Sequence, residues 1–357
     1  MSAPLPHRPC HAARQRGAAL LTAMIIVTLI ATLSASMVWQ QWRAVQVESA
    51  ERARSQSAWM LSGALEWARL ILREDARNGG ATRLGEPWAT ELKEARLSTF
   101  LAADKDHTDD APEAFLSGAI TDAQGHFNLM NLVAQGKVEP AQLAALVRLC
   151  EAAGASPDVA SRLATGLVSA AGTQVLPPDP GASAVATAAP TPVGGATAPN
   201  VAAAATAGVP KVLDPEAPLL PLTVDQLGFV GIDPASLRML SPYVVLLPRA
   251  TTVNVNTASR EVLAAAVKGL DLATAERLIQ VRQRTPFKDI ADVEREVPAL
   301  APIDRTKVGV KSDFFEVRGR LRLGDRVLEQ RSLVERRGLV VVVLRRERSS
   351  SRDQPAS

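Results

Sequence analysis

The run from Ala18 to Trp39, AALLTAMIIVTLIATLSASMVW, contains no charged residue. At the helical rise its roughly 22 residues span roughly 33 Å, enough to cross the hydrocarbon core of a bilayer. This segment is expected to be a membrane anchor, with the remaining domains carried on its C-terminal side. Arg14 and Arg16 precede it, and the next charge is Arg43, beyond Trp39, Gln40, Gln41 and Trp42. Positive charge favours the cytoplasmic side and tryptophan the membrane interface, so the chain is expected to run N-in, C-out. A cleavable secretory signal would place a small-x-small site after a short apolar core. Here the break comes first: a basic leader ends at Gly17 and the apolar run follows it directly.

That order resembles the leader and anchor of type IV pilins and type II secretion pseudopilins. The resemblance implies that a membrane peptidase cuts between Gly17 and Ala18, removing residues 1–17 and leaving the anchor, 18–42, on the mature chain. An uncleaved single-pass anchor is the plain alternative. Family members usually carry Glu as the fifth mature residue, where it neutralises the amino terminus of the preceding subunit; this chain has Thr22. A carboxylate in a membrane is costly unless it meets a partner. A subunit with no neighbour above it has no use for one, which points to a fibre tip.

The 357 residues suffice for two modest domains with real cores. Forty basic residues face 37 acidic ones, and a net charge of +3 does not argue for nucleic acid. Cys10 falls in the leader and Cys150 stands alone, so the mature chain is expected to form no internal disulfide and to bury its thiol.

Beyond the anchor, residues 43–78 read as the continuation of one helix. Ala50, Ala53, Ser57, Leu61, Ala64, Ala68 and Leu72 recur at three- and four-residue steps, and Asn78-Gly79-Gly80 ends the pattern. Residues 81–110 read as a polar stretch. Their acidic patch, Asp104, Asp106, Asp109 and Asp110 with His107, lacks the ligand spacing and turn glycine of a calcium loop and reads as a solvated loop. Residues 114–120 and 125–129 read as two short strands joined by a turn.

Two boxes sharpen the resemblance to the K-type minor pseudopilins of type II secretion. The first, within residues 122–132, carries Asp122, Phe127, Asn128 and Leu129; the second carries Asn254, Asn256 and Thr257. The resemblance implies an α+β fold: a pilin-like long N-terminal helix packed on an antiparallel sheet, with a large all-helical insertion of helix-hairpin-helix (SAM-like) type. Residues 79–132 would form the first part of the head, 133–311 the insertion, 312–348 the C-terminal strands and 349–357 a disordered tail. It also implies a bacterial inner-membrane protein with a periplasmic head at the tip of the secretion fibre. The implied partners are other minor pseudopilins, the major pseudopilin, the prepilin peptidase and the inner-membrane secretion platform. K-type relatives tend to carry an acidic calcium-binding segment near residues 172–218. None is visible here, so no cofactor is expected, with calcium left as the alternative that the resemblance implies.

Residues 140–171 are helical in pattern, with Leu143, Leu146, Val147 and Cys150 on one face and Val159, Leu163 and Leu167 on another. Residues 172–218, dominated by Ala, Pro, Gly, Thr and Val, read as a flexible linker. Two short helices at 222–228 and 234–240 and a strand at 243–247 lead to the second box. There Thr257 is expected to cap a helix over 258–267, Asp271 a helix over 272–283, and Asp289 a third from Ile290, with Asp292 in its first turn.

This helix-hairpin-helix pattern supplies a rival function, because exported competence proteins use such modules to hold DNA. Their mechanism needs a Gly-x-Gly hairpin whose N–H groups approach phosphate. Only Gly269 is present, and the carboxylate of Asp271 would repel phosphate. Arg277, Arg282, Arg284 and Lys288 read as a solvated helix surface, and no nucleic-acid partner is expected. Residues 314–348 read as a three-stranded meander in which Val317, Gly319, Leu321 and Leu323 alternate with Arg318, Arg320 and Arg322, with a hairpin at Gly324-Asp325. The unalternating run 339–344 suits a strand covered on both faces. No catalytic or metal-ligand constellation is visible, so the chain is not expected to be an enzyme.

Overall fold

The computed structural model describes residues 15–96, 114–173, 218–324 and 326–352. The acidic patch at 104–110, most of the leader and residues 174–217 of the linker lie outside the described residues. Two compact units are present, 1–63 and 64–357.

In the first unit, helix α1 (Gln15–Asn78) starts within the leader, and every side chain from 19 to 49 is exposed. Thr22, Thr28, Thr32 and Ser36 each donate their hydroxyl to the carbonyl three residues back, at 2.7–2.9 Å. An apolar surface on which these four hydroxyls are satisfied inside the helix suits lipid. Among the described residues, α1 is the one helix long and apolar enough to cross a membrane.

The second unit takes in the end of α1, β1 (Leu92–Arg96), β2 (Ala114–Asp122), β3 (Phe127–Asn128), β4 (Val133–Ala134), β5 (Lys137–Val138), α2 (Pro140–Ala152) and α3 (Asp158–Thr173). It continues through α4 (Pro234–Leu240), β6 (Val244–Val245), β7 (Val253–Asn254), α5 (Arg260–Ala266), α6 (Leu272–Arg284), α7 (Ile290–Glu296) and β8 (Val308–Gly309). Three long strands close it: β9 (Phe314–Leu323), β10 (Arg326–Arg337) and β11 (Val340–Arg352).

An antiparallel sheet of order β1-β2-β9-β10-β11 forms the head. Leu65, Ala68 and Leu72, one stripe of α1 at helical spacing, pack on Phe315, Val317, Val334 and Val341. Trp88 meets Phe315 edge-on at 5.2 Å. The pairing of Leu323 with Arg326 confines the β9–β10 turn to two residues, and Gly324 supplies its positive φ of 59°. The chain between Asp122 and Phe314 builds a second core around Leu146, Leu149, Leu163, Leu167, Val262 and Leu278. Cys150 is buried in it, and burial pushes its thiol up to about 11. The observed architecture is the expected α+β arrangement of long helix, antiparallel sheet and helical parts.

Several local expectations are corrected. The helical pattern over 140–171 resolves into two helices parted at Gly154, whose φ of 76° a continuous helix does not accommodate. The strand read at 125–129 does not pair with β2: Phe127 and Asn128 run parallel to Val244 and Val245, while Phe127, Leu129 and Leu132 join the insertion core. The head therefore gives way to the insertion at Asp122 rather than at 132. The stretch read as polar, 81–110, contains the fully buried Trp88 and strand β1. The helix read at 222–228 is a 3-10 helix at Val224–Val230, and the strand at 243–247 shrinks to β6. Strand β11 is an edge strand, not one covered on both faces: Val341 is buried while Val340 is 60% exposed. It also extends to Arg352, so residues 349–352 of the expected tail are ordered in the sheet.

Candidate functional site

The two boxes meet at the end of β2. Asp122 is 5% exposed, and its Oδ1 accepts the Gln124 N–H at 2.8 Å, capping a single 3-10 turn at Ala123–Gly125. Its Oδ2 accepts three side-chain donors: Ser312 Oγ and Thr257 Oγ1 at 2.6 Å each, and Asn254 Nδ2 at 2.9 Å. Burial pushes the carboxyl above its ordinary value, and these hydrogen bonds oppose the rise in part. Gly125 allows the approach, because a Cβ there would lie 3.0 Å from the Thr257 hydroxyl.

Asn254 extends the cluster by donating to the Thr82 carbonyl at 3.2 Å and to Ser312 Oγ at 2.8 Å, while its own Oδ1 accepts the Asn256 N–H. Asn256 in turn clamps Phe287 from both sides, donating to its carbonyl at 2.9 Å and accepting its N–H at 3.0 Å. Asn128 holds the loop after β6, donating to the Arg249 carbonyl at 2.7 Å and accepting the Leu247 N–H. Buried polar groups stabilise only when satisfied, and these amides tie together segments from 31 to 172 residues apart. The result is a clamp joining the end of β2, the second box and the approach to β9.

The boxes' polar residues, Asp122, Asn128, Asn254, Asn256 and Thr257, thus serve this clamp. Phe127 and Leu129 contribute apolar packing to the adjoining core. Thr257 departs from expectation: Ser259 caps α5, accepting the Val262 N–H, and the Thr257 hydroxyl is turned to Asp122 instead. Asp271 and Asp289 do cap α6 and α7, and Asp292 closes a capping box on the latter. Arg282 is no surface residue: it is 8% exposed, donates to the Val255 carbonyl, and is lowered to about 10 by burial. Arg277, Arg284 and Lys288 are exposed. Sequence reasoning missed Thr82, Gln124, Asn131, Ser312 and Arg336, all part of the network or its margin. Gln124 accepts the Asp313 N–H, Asn131 exchanges two hydrogen bonds with Thr251, and Arg336 donates to Thr82 and Ser312. Gly17 and Ala18 lie in α1, and the Thr22 hydroxyl donates to Ala19 within that helix. Among the described residues no group of three or more His, Cys, Asp or Glu side chains is placed to hold a metal ion.

Two family models, both described as type II secretion system protein K, match residues 125–249 and 253–311, together just over half of the chain. The chain belongs to the type II secretion system protein K family. Both boxes fall in the matched regions, except that Asp122 lies just before the first. Protein K of Pseudomonas aeruginosa is 28% identical over 325 residues, covering 87% of this chain and 86% of the relative. Protein K of Klebsiella pneumoniae is also 28% identical, over 93% of this chain and 96% of the relative. A chain in the crystal structure of the GspK-GspI-GspJ complex from the enterotoxigenic Escherichia coli type 2 secretion system shares the fold. It matches with a TM-score of 0.58 at 18% identity, covering 85% of this chain and 99% of that one. The protein K assignment and the single N-terminal apolar helix fit a single-pass inner-membrane component of the pseudopilus.

Proposed function

We propose that this chain is a minor pseudopilin at the tip of the type II secretion pseudopilus, where it initiates and caps the fibre and supports protein secretion across the outer membrane. The observation that carries this reading is the clamp. The insertion leaves the sheet at Asp122 and returns at Phe314, and Asp122, Asn254 and Ser312 tie the two ends together. A domain of this bulk, fixed to the head rather than tethered, obstructs a second head on one side and leaves the other free. Thr22 supports the same reading, since a hydroxyl satisfied within its own helix supplies no carboxylate for an upper neighbour's amine. The role is structural rather than catalytic. Its partners are other minor pseudopilins, together with the major pseudopilin and the inner-membrane platform; the Escherichia coli neighbour's presence in a GspK-GspI-GspJ complex supports this.

The anchor runs N-in, and the prepilin peptidase removes residues 1–17. Intact-mass analysis of the membrane-extracted protein is expected to give a chain starting at Ala18; a different mature terminus contradicts the processing site. Assembly is tested with engineered cysteine pairs along α1. Crosslinks to neighbouring subunits are expected on one flank of the helix only, and equal crosslinking on both flanks would contradict a tip subunit.

The DNA-holding reading is weaker. The α6 N-terminus that would meet phosphate is capped by Asp271, whose carboxylate accepts the Thr274 N–H at 2.6 Å and is held below its ordinary value by that bond.

A further inference from the structure

Among the described residues the head sheet ends on β11, which spans Val340–Arg352 and pairs with β10 alone. An edge of this length presents a row of backbone donors and acceptors to any extended chain. The Val341 carbonyl accepts Arg69 Nε at 2.9 Å, so this residue's backbone groups point out of the ladder. Antiparallel pairing alternates, which gives Val343 the same outward side. Beyond the bulge opposite Leu333 and Val334, the alternation along β10 carries the outward groups to Arg346, Arg348 and Ser350. The side chains divide sharply along the strand. Residues 340–344 are all apolar, whereas 345–352 hold four arginines and one glutamate. Val340 is exposed, and so is Arg346, which has no ion-pair partner among the described residues.

We propose that β11 is a docking edge for an extended segment of a partner protein, apolar opposite residues 340–344 and acidic opposite 345–352. This surface goes beyond the tip assignment and does not depend on it. Charge selects the occupant. A second copy paired antiparallel along the full strand brings together two segments that each carry four arginines and one glutamate and sets Arg346 against itself; Arg345 and Glu347 face each other twice, but Arg348 and Arg352 are left opposite Leu344 and Val340 with no carboxylate to meet them. An acidic strand reverses those terms while its backbone completes the ladder.

The test uses the full chain in detergent micelles and a terminally blocked synthetic peptide of alternating valine and threonine followed by alternating glutamate and threonine. Its lysine counterpart is the control. The glutamate peptide is expected to bind and to slow hydrogen exchange at Val343, Arg346, Arg348 and Ser350, and the lysine peptide is not. Arg346→Pro removes an outward N–H, not a ladder bond, and is expected to weaken binding about tenfold with an unchanged far-UV spectrum. Should that variant fail to fold, Arg346→Glu serves in its place, with preference expected to shift from the glutamate towards the lysine peptide. Undiminished binding by these variants, or no protection of β11 by the glutamate peptide, overturns the proposal. So does concentration-dependent protection without peptide accompanied by a dimer mass, which would identify a second copy as the occupant.

Discussion

Asp122→Ala is expected to lower the stability of the second unit by about 3–5 kcal/mol, read by urea unfolding of the detergent-solubilised chain followed by tryptophan fluorescence. The change removes the acceptor shared by Ser312, Thr257 and Asn254 and leaves these donors buried without it. It acts where the insertion joins the sheet, so the insertion's attachment is expected to loosen before either core melts. A loss below about 1 kcal/mol would mean that the clamp contributes little to the fold.

The same carboxyl carries a pH signature. Burial raises its pKa in the folded chain above the ordinary value of 3.8, so between those two values the folded state holds more protons than the unfolded one. Its contribution is therefore complete below the ordinary carboxyl pKa and is lost as pH rises through the raised folded value. Asp271, Asp289, Asp292 and Asp304 are shifted the other way, and their contributions are lost as pH falls instead. Asp122→Asn isolates the first effect. It carries no titrating proton, and the difference between its stability profile and that of the natural chain is expected to show the loss on raising pH.

The second large effect is expected at Arg336. Its guanidinium pairs with Asp75 at 2.5 Å, both side chains being about nine-tenths buried, and also donates to Thr82 Oγ1 and the Ser312 carbonyl. This one side chain joins the end of α1 and the margin of the clamp to β10. Arg336→Met leaves the Asp75 carboxylate buried and uncompensated, for an expected loss of about 3–5 kcal/mol. Replacing Asp75 by Leu in the same chain is expected to recover most of that loss, because a well-packed apolar pair substitutes for a buried ion pair at little net cost. If the double variant were as unstable as the single one, the loss would have to lie in the Thr82 and Ser312 contacts instead.

Much of this fold was legible because its determinants are local. Leu61, Ala68 and Leu72 repeat at helical spacing, Val317 and Leu321 alternate with arginines, and Asp271 and Asp289 each stand immediately before the helix they cap. The clamp was legible only as a pair of boxes. A threonine just ahead of a helix reads as its cap, and nothing near Thr257 reveals that its hydroxyl serves a carboxylate 135 positions away. Ser312 and Thr82 carry no periodic signal, since each is defined by hydrogen bonds to residues far away in the sequence. Strand β1, LKEAR, hid behind its charges, because on a sheet edge with little burial the alternation that marks a strand is weak. The VVVV run failed in the opposite direction. Hydrophobicity records that a strand is covered on one face, but whether a neighbour lies beside it is a property of topology.

The central claim is that a clamped insertion makes this subunit a terminus rather than a repeating element. It is tested most directly by locating the subunit in assembled fibres, using a gold-labelled tag appended after residue 357 and electron microscopy of fibres sheared from cells producing excess major pseudopilin. Label confined to one end of each fibre is the predicted result. Label at regular intervals along the shaft would contradict it.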